Sequence, residues 1–186
     1  MRRRVWQLAG LGDGIMIDRA TVKLAHLPTP LAPLEGLSRD LGVQLWIKRD
    51  DLTGLAFGGN KTRKLEYLVA DAISRGADTL ITTGAPQSNH CRQTAAAAAT
   101  QGLSAVLVLG GAGVDAMRGN RLLDGLLGAE VVNIGDEDRA TALERVANEL
   151  RAKGRKPYVI PLGGSNALGV TAYRVAIHEL RDQMEE

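Results

Sequence analysis

The chain has little cysteine, little net charge and no long apolar run, and each shortage removes a class of protein. A single cysteine, Cys91, among 186 residues allows neither an intrachain disulfide framework nor a zinc cluster, and it fits a reducing cytoplasm. The net charge is +2, from 23 basic and 21 acidic residues. That near balance gives no electrostatic ground for binding nucleic acid or an acidic membrane surface, which leaves small molecules as the expected partners. No apolar stretch approaches the roughly 20 residues that cross a bilayer, so a soluble protein is expected. Met1-Arg2-Arg3-Arg4 has the charge of an export signal's first residues, yet Gly10, Gly12, Asp13 and Gly14 interrupt the adjoining stretch before an apolar run develops. No export signal is read, and Met16 is a candidate native start.

Two nucleotide-binding patterns are missing as well. A phosphate-binding P-loop ending at Lys61-Thr62 needs glycine at positions 55 and 60, where Leu55 and Asn60 stand. Gly110-Gly111-Ala112-Gly113 lacks the glycine spacing of a dinucleotide fingerprint, so NAD is not expected.

What is present is a chain that is 45% hydrophobic, long enough to bury one domain or one and a fraction. Thr29-Pro30-Leu31-Ala32-Pro33 reads as an extended, proline-stiffened lead-in. A short helix is expected over Glu35 to Leu41, and a strand over Gln44 to Lys48. Gly54, Gly58 and Gly59 form a loop up to Asn60. From Lys61 onward, Leu65, Leu68, Val69, Ala72 and Ile73 make the stripe of an amphipathic helix that Gly76 stops. Strands and helices then alternate. Strands are predicted over Thr79 to Thr83, Ala105 to Leu109, Glu130 to Ile134 and Tyr158 to Leu162. Helices are predicted over Cys91 to Gln101, near Met117 to Leu127, over Asp138 to Lys153 and from about Leu168 to Met184. Apolar runs such as Val106-Leu107-Val108-Leu109 suit strands buried on both faces, which predicts an α/β fold: a parallel sheet flanked by helices in three layers, α/β/α. In such sheets ligands bind beyond the carboxyl ends of the strands, here the loops Gly84–His90, Gly110–Gly113 and Gly163–Asn166.

Two of these segments carry chemistry. Gly58-Gly59-Asn60-Lys61-Thr62-Arg63-Lys64 places three cations in the first turn of a helix, where the macrodipole disfavours them. A lysine held there among other cations loses part of the stability of its ammonium form, which favours the neutral amine that a carbonyl reaction needs. Taken alone, the segment also reads as a solvated basic helix start after an ordinary glycine loop. Gly84-Ala85-Pro86-Gln87-Ser88-Asn89-His90 joins a strand to a helix N-terminus, where unpaired N–H groups receive anions and a carboxylate would fit. Ser88 or Asn89 would serve as N-cap, and capping alone is an equally good reading of that loop. His90 and Cys91 are adjacent but do not form a nucleophile pair, because their side chains diverge at a helix start. Cys91 is read as core packing.

Together, Gly58-Gly59-Asn60-Lys61-Thr62-Arg63-Lys64-Leu65-Glu66 and Gln87-Ser88-Asn89-His90, with Ser88 27 positions after Lys61, resemble fold type II (tryptophan synthase β-like) pyridoxal-phosphate enzymes. Within that group the similarity is to the D-cysteine desulfhydrase and 1-aminocyclopropane-1-carboxylate (ACC) deaminase family. His26-Leu27-Pro28-Thr29-Pro30-Leu31, Ile47-Lys48-Arg49-Asp50-Asp51 and Gly163-Gly164-Ser165-Asn166-Ala167-Leu168-Gly169 extend it from about Val22 to the end. The resemblance implies that Lys61 forms the Schiff base with pyridoxal 5'-phosphate and later shuttles a proton, with Asn60 beside it. It also implies that Asn89 contacts the cofactor's ring oxygen, and that Ser88, Asn89 and His90 hold the substrate carboxylate, Ser88 also acting in catalysis. No metal is implied. The implied reaction is β-elimination on a small amino acid, D-cysteine first, giving sulfide, ammonia and pyruvate, with ACC deamination and cysteate sulfo-lyase chemistry as alternatives. A non-catalytic pyridoxal-phosphate-binding module is the reading of another class.

The domains implied are residues 1–60 as the N-terminal portion of a larger cofactor domain, 61–170 as a smaller α/β domain, and 171–186 as the return into the larger one. In the family, the phosphate cradle, the group facing the pyridine nitrogen and the active-site tyrosines come from later in the chain than Glu186. On its own the chain is therefore expected to bind the cofactor weakly and turn over poorly, and a cytoplasmic homodimer is implied for the full-length protein.

Overall fold

The computed structural model describes residues 20–111 and 118–185. The readings at Met1-Arg2-Arg3-Arg4 and Met16, and those at Ala112, Gly113 and Met117, lie outside the described residues. The chain runs β1 (Leu31–Pro33), α1 (Glu35–Leu41), β2 (Trp46–Lys48), α2 (Lys61–Ser74), β3 (Thr79–Gly84), α3 (Asn89–Thr100) and β4 (Ser104–Gly110). Next come α4 (Gly119–Leu126), β5 (Glu130–Gly135), α5 (Arg139–Ala152), β6 (Pro157–Ile160) and α6 (Ala167–Glu185). Short 3-10 turns occupy Asp50–Leu52, Leu55–Phe57 and Leu162–Gly164. Among the described residues, no helix is long and apolar enough to cross a membrane.

Two differences from the sequence reading have clear causes. The lead-in at Leu31–Pro33 is a strand after all, pairing antiparallel with β2 through Leu31↔Lys48 and Pro33↔Trp46. Its three residues are too few for an alternating pattern to be seen. The last strand stops at Ile160 instead of Leu162, because the chain turns at Pro161 into a 3-10 turn in which Gly163 has φ +65°.

β3 to β6 form one parallel sheet in the order β5-β4-β3-β6. Alternate side chains face opposite helical layers. Leu80, Leu107, Leu109 and Ile160 pack with Leu65, Leu68 and Val69 of α2 and with Cys91, Ala95 and Ala98 of α3. Ile81, Val106 and Val108 pack on the other face against Ala142, Leu143, Val146 and Leu150 of α5. Each of these large aliphatic side chains contributes about 1.5–3 kcal/mol by leaving water. The strand order fixes where a ligand can sit. The chain builds outward from β3 to β4 to β5, then α5 carries it back so that β6 pairs on the opposite side of β3. The order thus reverses direction between β3 and β6, the switch point at which such sheets offer a ligand crevice beyond the strands' carboxyl ends.

The first turn of α2 meets the turn after β6 at this end of the sheet, where Lys64 donates to Gly163 O and Ser165 Oγ. Leu65, Leu68, Val69 and Ala72 are fully buried, whereas Ile73 is 43% exposed. At about 100° per residue, Ile73 lies roughly 80° from Leu65, at the margin of the stripe. The helix ends as a Schellman turn, with Ala77 N–H donating to Ala72 O over 3.0 Å and Gly76 at φ +70°.

Arg63 locks α2 to chain segments far apart in sequence. Its guanidinium, 2% exposed, donates to Asp50 Oδ1 and Oδ2 (Nε, 3.1 and 3.0 Å), to Glu179 Oε1 and Oε2 (2.8 and 2.9 Å) and to Thr29 Oγ1 (3.0 Å). Lys48 adds a second ion pair to Glu179 at 2.6 Å and donates to Thr29 O at 2.5 Å and to Gln183 Oε1. Burial by itself would raise the Glu179 carboxyl, but the hydrogen bonds from Arg63 and Lys48 outweigh it and hold the group at about 2. Because the unfolded chain then takes up that proton first, the stabilisation from Glu179 is complete above about pH 4.5 and is lost as pH falls toward 2. Urea denaturation at pH 7 is expected to show Arg63→Met less stable by about 3 kcal/mol, because Asp50 and Glu179 are half-buried and Glu179 keeps Lys48. Glu179→Gln should flatten the fall in stability between pH 5 and 2; an unchanged slope would mean that Glu179 does not drive it.

Candidate active site

The approach to Lys61 is a run of left-handed backbone. Gly54, Ala56, Phe57, Gly58 and Gly59 have φ of +90°, +44°, +70°, +72° and +132°. Ala56 and Phe57 have side chains and adopt this region at a cost, a local strain of the kind held at functional sites. At Gly58 and Gly59 nothing else would fit. A Cβ on Gly58 would lie 1.9 Å from Asp51 O, and one on Gly59 would lie 2.4 Å from Gln93 Nε2. The turn is pinned from several sides. Thr53 Oγ1 both donates to Gly59 O and accepts from Gly59 N, each at 2.9 Å. Arg92 Nη2 donates to Gly58 O at 2.7 Å. Gln93, fully buried, accepts from Thr62 Oγ1 at 2.8 Å and donates to Asn89 O at 3.0 Å.

Three cations leave this turn, and each finds a different partner. Lys61 is half-buried, and its Nζ donates to Asn60 Oδ1 at 2.8 Å. Asn60 occupies the N-cap position of α2 without making a side-chain cap, so its amide oxygen serves the amine instead. The Cε of Lys61 lies 3.7 Å from where a Cβ on Gly163 would stand, which places the side chain beside the turn that follows β6. Arg63 enters the ion-pair network. Lys64, 9% exposed, donates to Gly163 O at 3.2 Å and Ser165 Oγ at 2.9 Å, and its ammonium stands 5.6 Å from the centre of the Tyr173 ring. Burial first, and then the charge of Lys61, lowers the Lys64 ammonium below its ordinary range. The cation cluster that looks unfavourable in sequence is thus distributed among an amide, a pair of carboxylates and a polar turn.

At the head of α3, Ser88 is the N-cap and its Oγ accepts from Cys91 N at 3.2 Å. The helix begins at Asn89, two residues before the predicted start. Cys91 lies in the core, and burial pushes its thiol up to about 12, away from any nucleophilic role at neutral pH. His90 is turned inward beneath the crevice. Thr82 donates its hydroxyl proton to Ile160 O at 2.9 Å, so the imidazole Nε2, 2.9 Å from Thr82 Oγ1, is the donor in that pair. Burial, followed by the charges of Lys61 and Lys64, pulls the imidazole down to about 4. It is therefore neutral at physiological pH, and its Nδ1 is buried without a hydrogen-bond partner. Asn89 is exposed, with Oδ1 accepting from Arg92 Nη1 at 3.2 Å and from Asn120 Nδ2 at 3.0 Å.

Lys61 and Asn60 stand at the crevice between β3 and β6, and Arg92 and Gln93 join their turn to the first turn of α3, which carries Ser88, Asn89 and His90. The arrangement offers a primary amine, a hydroxyl and helix-start N–H donors at one end of a parallel sheet. A cleft of about 630 Å3 opens at the same end, reaching Thr83, Gly110, Arg139, Pro161 and Leu162. Another, of about 560 Å3, lies at the opposite end near Arg75, Arg155 and Tyr158, and neither cleft is lined by Asn60, Lys61, Ser88, Asn89 or His90. Sequence reasoning missed Lys64, Thr82, Arg92, Asn120 and Tyr173. Lys64, one helical turn from Lys61, and Arg92, one turn from Asn89, carried a signal in their spacing; Thr82, Asn120 and Tyr173 are joined to the site by tertiary contacts alone.

Comparison with known proteins identifies the family and the fold. The family model for pyridoxal-phosphate dependent enzymes matches residues 22–186. D-cysteine desulfhydrase of Klebsiella pneumoniae is 50% identical over 171 residues, covering 89% of this chain and 52% of that protein. A crystal structure of an ACC deaminase homologue superposes with a TM-score of 0.84 at 46% identity, covering 89% of this chain and 51% of that one. Diaminopropionate ammonia lyase of Escherichia coli in its apo form shares the fold at a TM-score of 0.67 and 20% identity, over 86% of this chain and 48% of its own. The chain spans about half the length of the curated relatives it matches. Amine, crevice and parallel sheet thus occur in a sequence that matches one family over nearly all its length: the chain belongs to the pyridoxal-phosphate-dependent enzymes of fold type II, with the D-cysteine desulfhydrases and ACC deaminases as its relatives.

Proposed function

We propose that this chain is the lysine-bearing part of a lyase that eliminates the β-substituent of a small amino acid, D-cysteine first, releasing sulfide, ammonia and pyruvate. ACC deamination and cysteate sulfo-lysis use the same amine and remain the alternatives within the class. The observation that carries the reading is the placement of Lys61, half-buried beside Gly163 at the crevice between β3 and β6, with Asn60 Oδ1 on its Nζ.

The residues present fit pyridoxal phosphate. An aldehyde needs a primary amine, and Lys61 supplies one. Cysteine and the imidazole are too deeply buried to compete, Cys91 being fully buried and His90 4% exposed. When bound, the cofactor supplies an electron sink that lets a bond at the substrate's α-carbon break. Lys61 would hold the cofactor's aldehyde group and, when its amine is free, would hold and return a proton at Nζ. Ser88 Oγ and the N–H groups of Asn89 and His90, which have no intrahelical acceptor in the first turn, receive the substrate carboxylate. His90 contributes through its main chain, since its ring is neutral and committed to Thr82. Asn89, with Oδ1 held by Arg92 and Asn120, would have its Nδ2 free for the cofactor's ring oxygen. Lys64 keeps the turn after β6 against α2 through Gly163 and Ser165.

The domain division that suits this reading places residues 1–60 with the larger cofactor domain, 61–170 as the smaller domain and 171–186 as the return. The antiparallel ribbon of β1 and β2 precedes Lys61, and the whole parallel sheet follows it, which supports that division. The unpaired Cys91 supports a reducing cytoplasm, where the full-length protein would act as a homodimer.

Incubating the protein with pyridoxal phosphate, reducing with borohydride and mapping peptides by mass should find the cofactor on Lys61, and Lys61→Ala should abolish that label. In unreduced full-length protein loaded with the cofactor, sulfide from D-cysteine should exceed 2-oxobutanoate from ACC and sulfite from cysteate. A label only on other lysines would sink the reading. A second measurement concerns His90. Its ring carbon-bound protons should keep the shifts of a neutral imidazole down to about pH 5 and titrate near 4; a midpoint near 6.5 would contradict the burial argument. Because the unfolded chain binds this proton first, stability should fall as pH drops from 6.5 toward 4, a fall that His90→Gln removes.

A further inference from the structure

Arg92 lies in the first turn of α3 and is 8% exposed, yet its guanidinium reaches three other parts of the site. Nη2 holds Gly58 O at 2.7 Å, and Nη1 donates to Asn89 Oδ1 at 3.2 Å and to Asn120 Oδ1 at 2.9 Å. Asn120, in the first turn of α4, is clamped in its turn. Its N–H donates to Gln87 Oε1 at 2.8 Å, and its Nδ2 donates to Gln87 O at 2.7 Å and to Asn89 Oδ1 at 3.0 Å.

Donors from two different helices therefore converge on one oxygen of Asn89. A side-chain amide has one acceptor end and one donor end. With Oδ1 committed to Arg92 and Asn120, Nδ2 must point the other way, and among the described residues it forms no hydrogen bond. Without these partners an exposed asparagine would rotate freely and present either end to a ligand. The guanidinium is not placed here at low cost. Its Nε is buried without a partner, and Asp124, fully buried on α4, has neither carboxylate oxygen hydrogen-bonded and stands 3.8 Å from Arg121. A charge kept where packing alone would favour an apolar side chain points to a role beyond packing.

We propose that Arg92, acting with Asn120, is a positioning residue that fixes the Asn89 amide with its donor outward while holding the Gly58 carbonyl of the turn before Lys61. One guanidinium then sets both the donor and the amine against the same ligand. The orientation of Asn89 follows from the contacts themselves; its consequence for a bound cofactor rests on the function proposed above.

The two parts are tested separately. In the protein without added cofactor, the Asn89 side-chain amide, identified by its loss in Asn89→Asp, should give a dispersed pair of NMR signals. Arg92→Gln and Asn120→Ala should each move that pair to the position of a solvated amide, while the buried Gln93 amide signals stay in place. If Arg92→Gln also displaces Gln93, it has disturbed the fold, and Asn120→Ala decides. An Asn89 pair unmoved in Asn120→Ala, or in an Arg92→Gln that keeps Gln93 in place, overturns the proposal. With cofactor loaded, a lost donor to an anionic ring oxygen should raise the pH midpoint of the visible absorbance change by up to about one unit. Arg92→Gln should produce this shift, and the double variant Asn89→Ala/Arg92→Gln should shift no further than Asn89→Ala alone. Additive shifts would reduce Arg92 to a structural role. Failure of the unmodified protein to carry cofactor on Lys61 would end the cofactor reading and leave the amide result standing.

Discussion

Everything at this site depends on a turn that only glycine can make. Between Gly54 and Gly59 the backbone takes positive φ at every residue but Leu55, and its last two residues pass so close to Asp51 O and Gln93 that a methyl group would collide with either. The turn delivers the chain to the start of α2 at an angle that directs Lys61 toward the strand ends. The positive φ at Ala56 and Phe57 shows that the path is imposed on side-chain-bearing residues too. Thr53, Arg92 and Gln93 hold it from outside, with bonds to Gly59 and Gly58 and a tight approach to Gly59. The lysine is placed by its surroundings more than by its own helix.

α2 joins two kinds of cohesion. One side is an aliphatic stripe, Leu65, Leu68, Val69 and Ala72, sealed against the sheet and α3. Flanking it are Arg63 and Lys64, buried cations whose charges are met by groups distant in sequence. Asp50 precedes the helix and Glu179 comes from α6, so the Arg63 network closes only when both ends of the described chain are in place. Removing either carboxylate would leave the guanidinium short of partners in a place where water cannot substitute. Lys64 plays the corresponding part toward the turn after β6. The helix bearing the amine is therefore fixed at its first turn on opposite sides.

Much of the fold was legible because its signals are local. The stripe from Leu65, the glycine stop at Gly76, the apolar run at Val106 to Leu109 and the Ser88 cap each depend on neighbours within a few residues, and each element formed where its pattern lay. The β1–β2 ribbon was not legible, since three residues ending in proline carry no alternation. At the site, Lys61, Asn60, Ser88 and Asn89 stood out through their motifs. The burial of Arg63, the inward turn of His90 onto Thr82 and the reach of Arg92 to Asn120 did not, because each is decided by a residue on another element. Three cations in one helical turn look like a solvated surface until Asp50, Glu179 and Ser165 are known to arrive there.

The strand order has a consequence for when the site comes into being. β3, β4 and β5 succeed one another outward, but the far wall of the crevice is β6, the last strand among the described residues, which must travel back across the sheet to reach β3. Until Pro157–Ile160 docks, Lys61 has no Gly163 beside it, Lys64 has no carbonyl to bind, and the Thr82 hydroxyl that meets His90 lacks Ile160 O. During synthesis, a nascent chain can thus assemble most of this core with the Lys61 amine still unplaced. Its surroundings form only with this long-range pairing, among the slower kinds of contact to form.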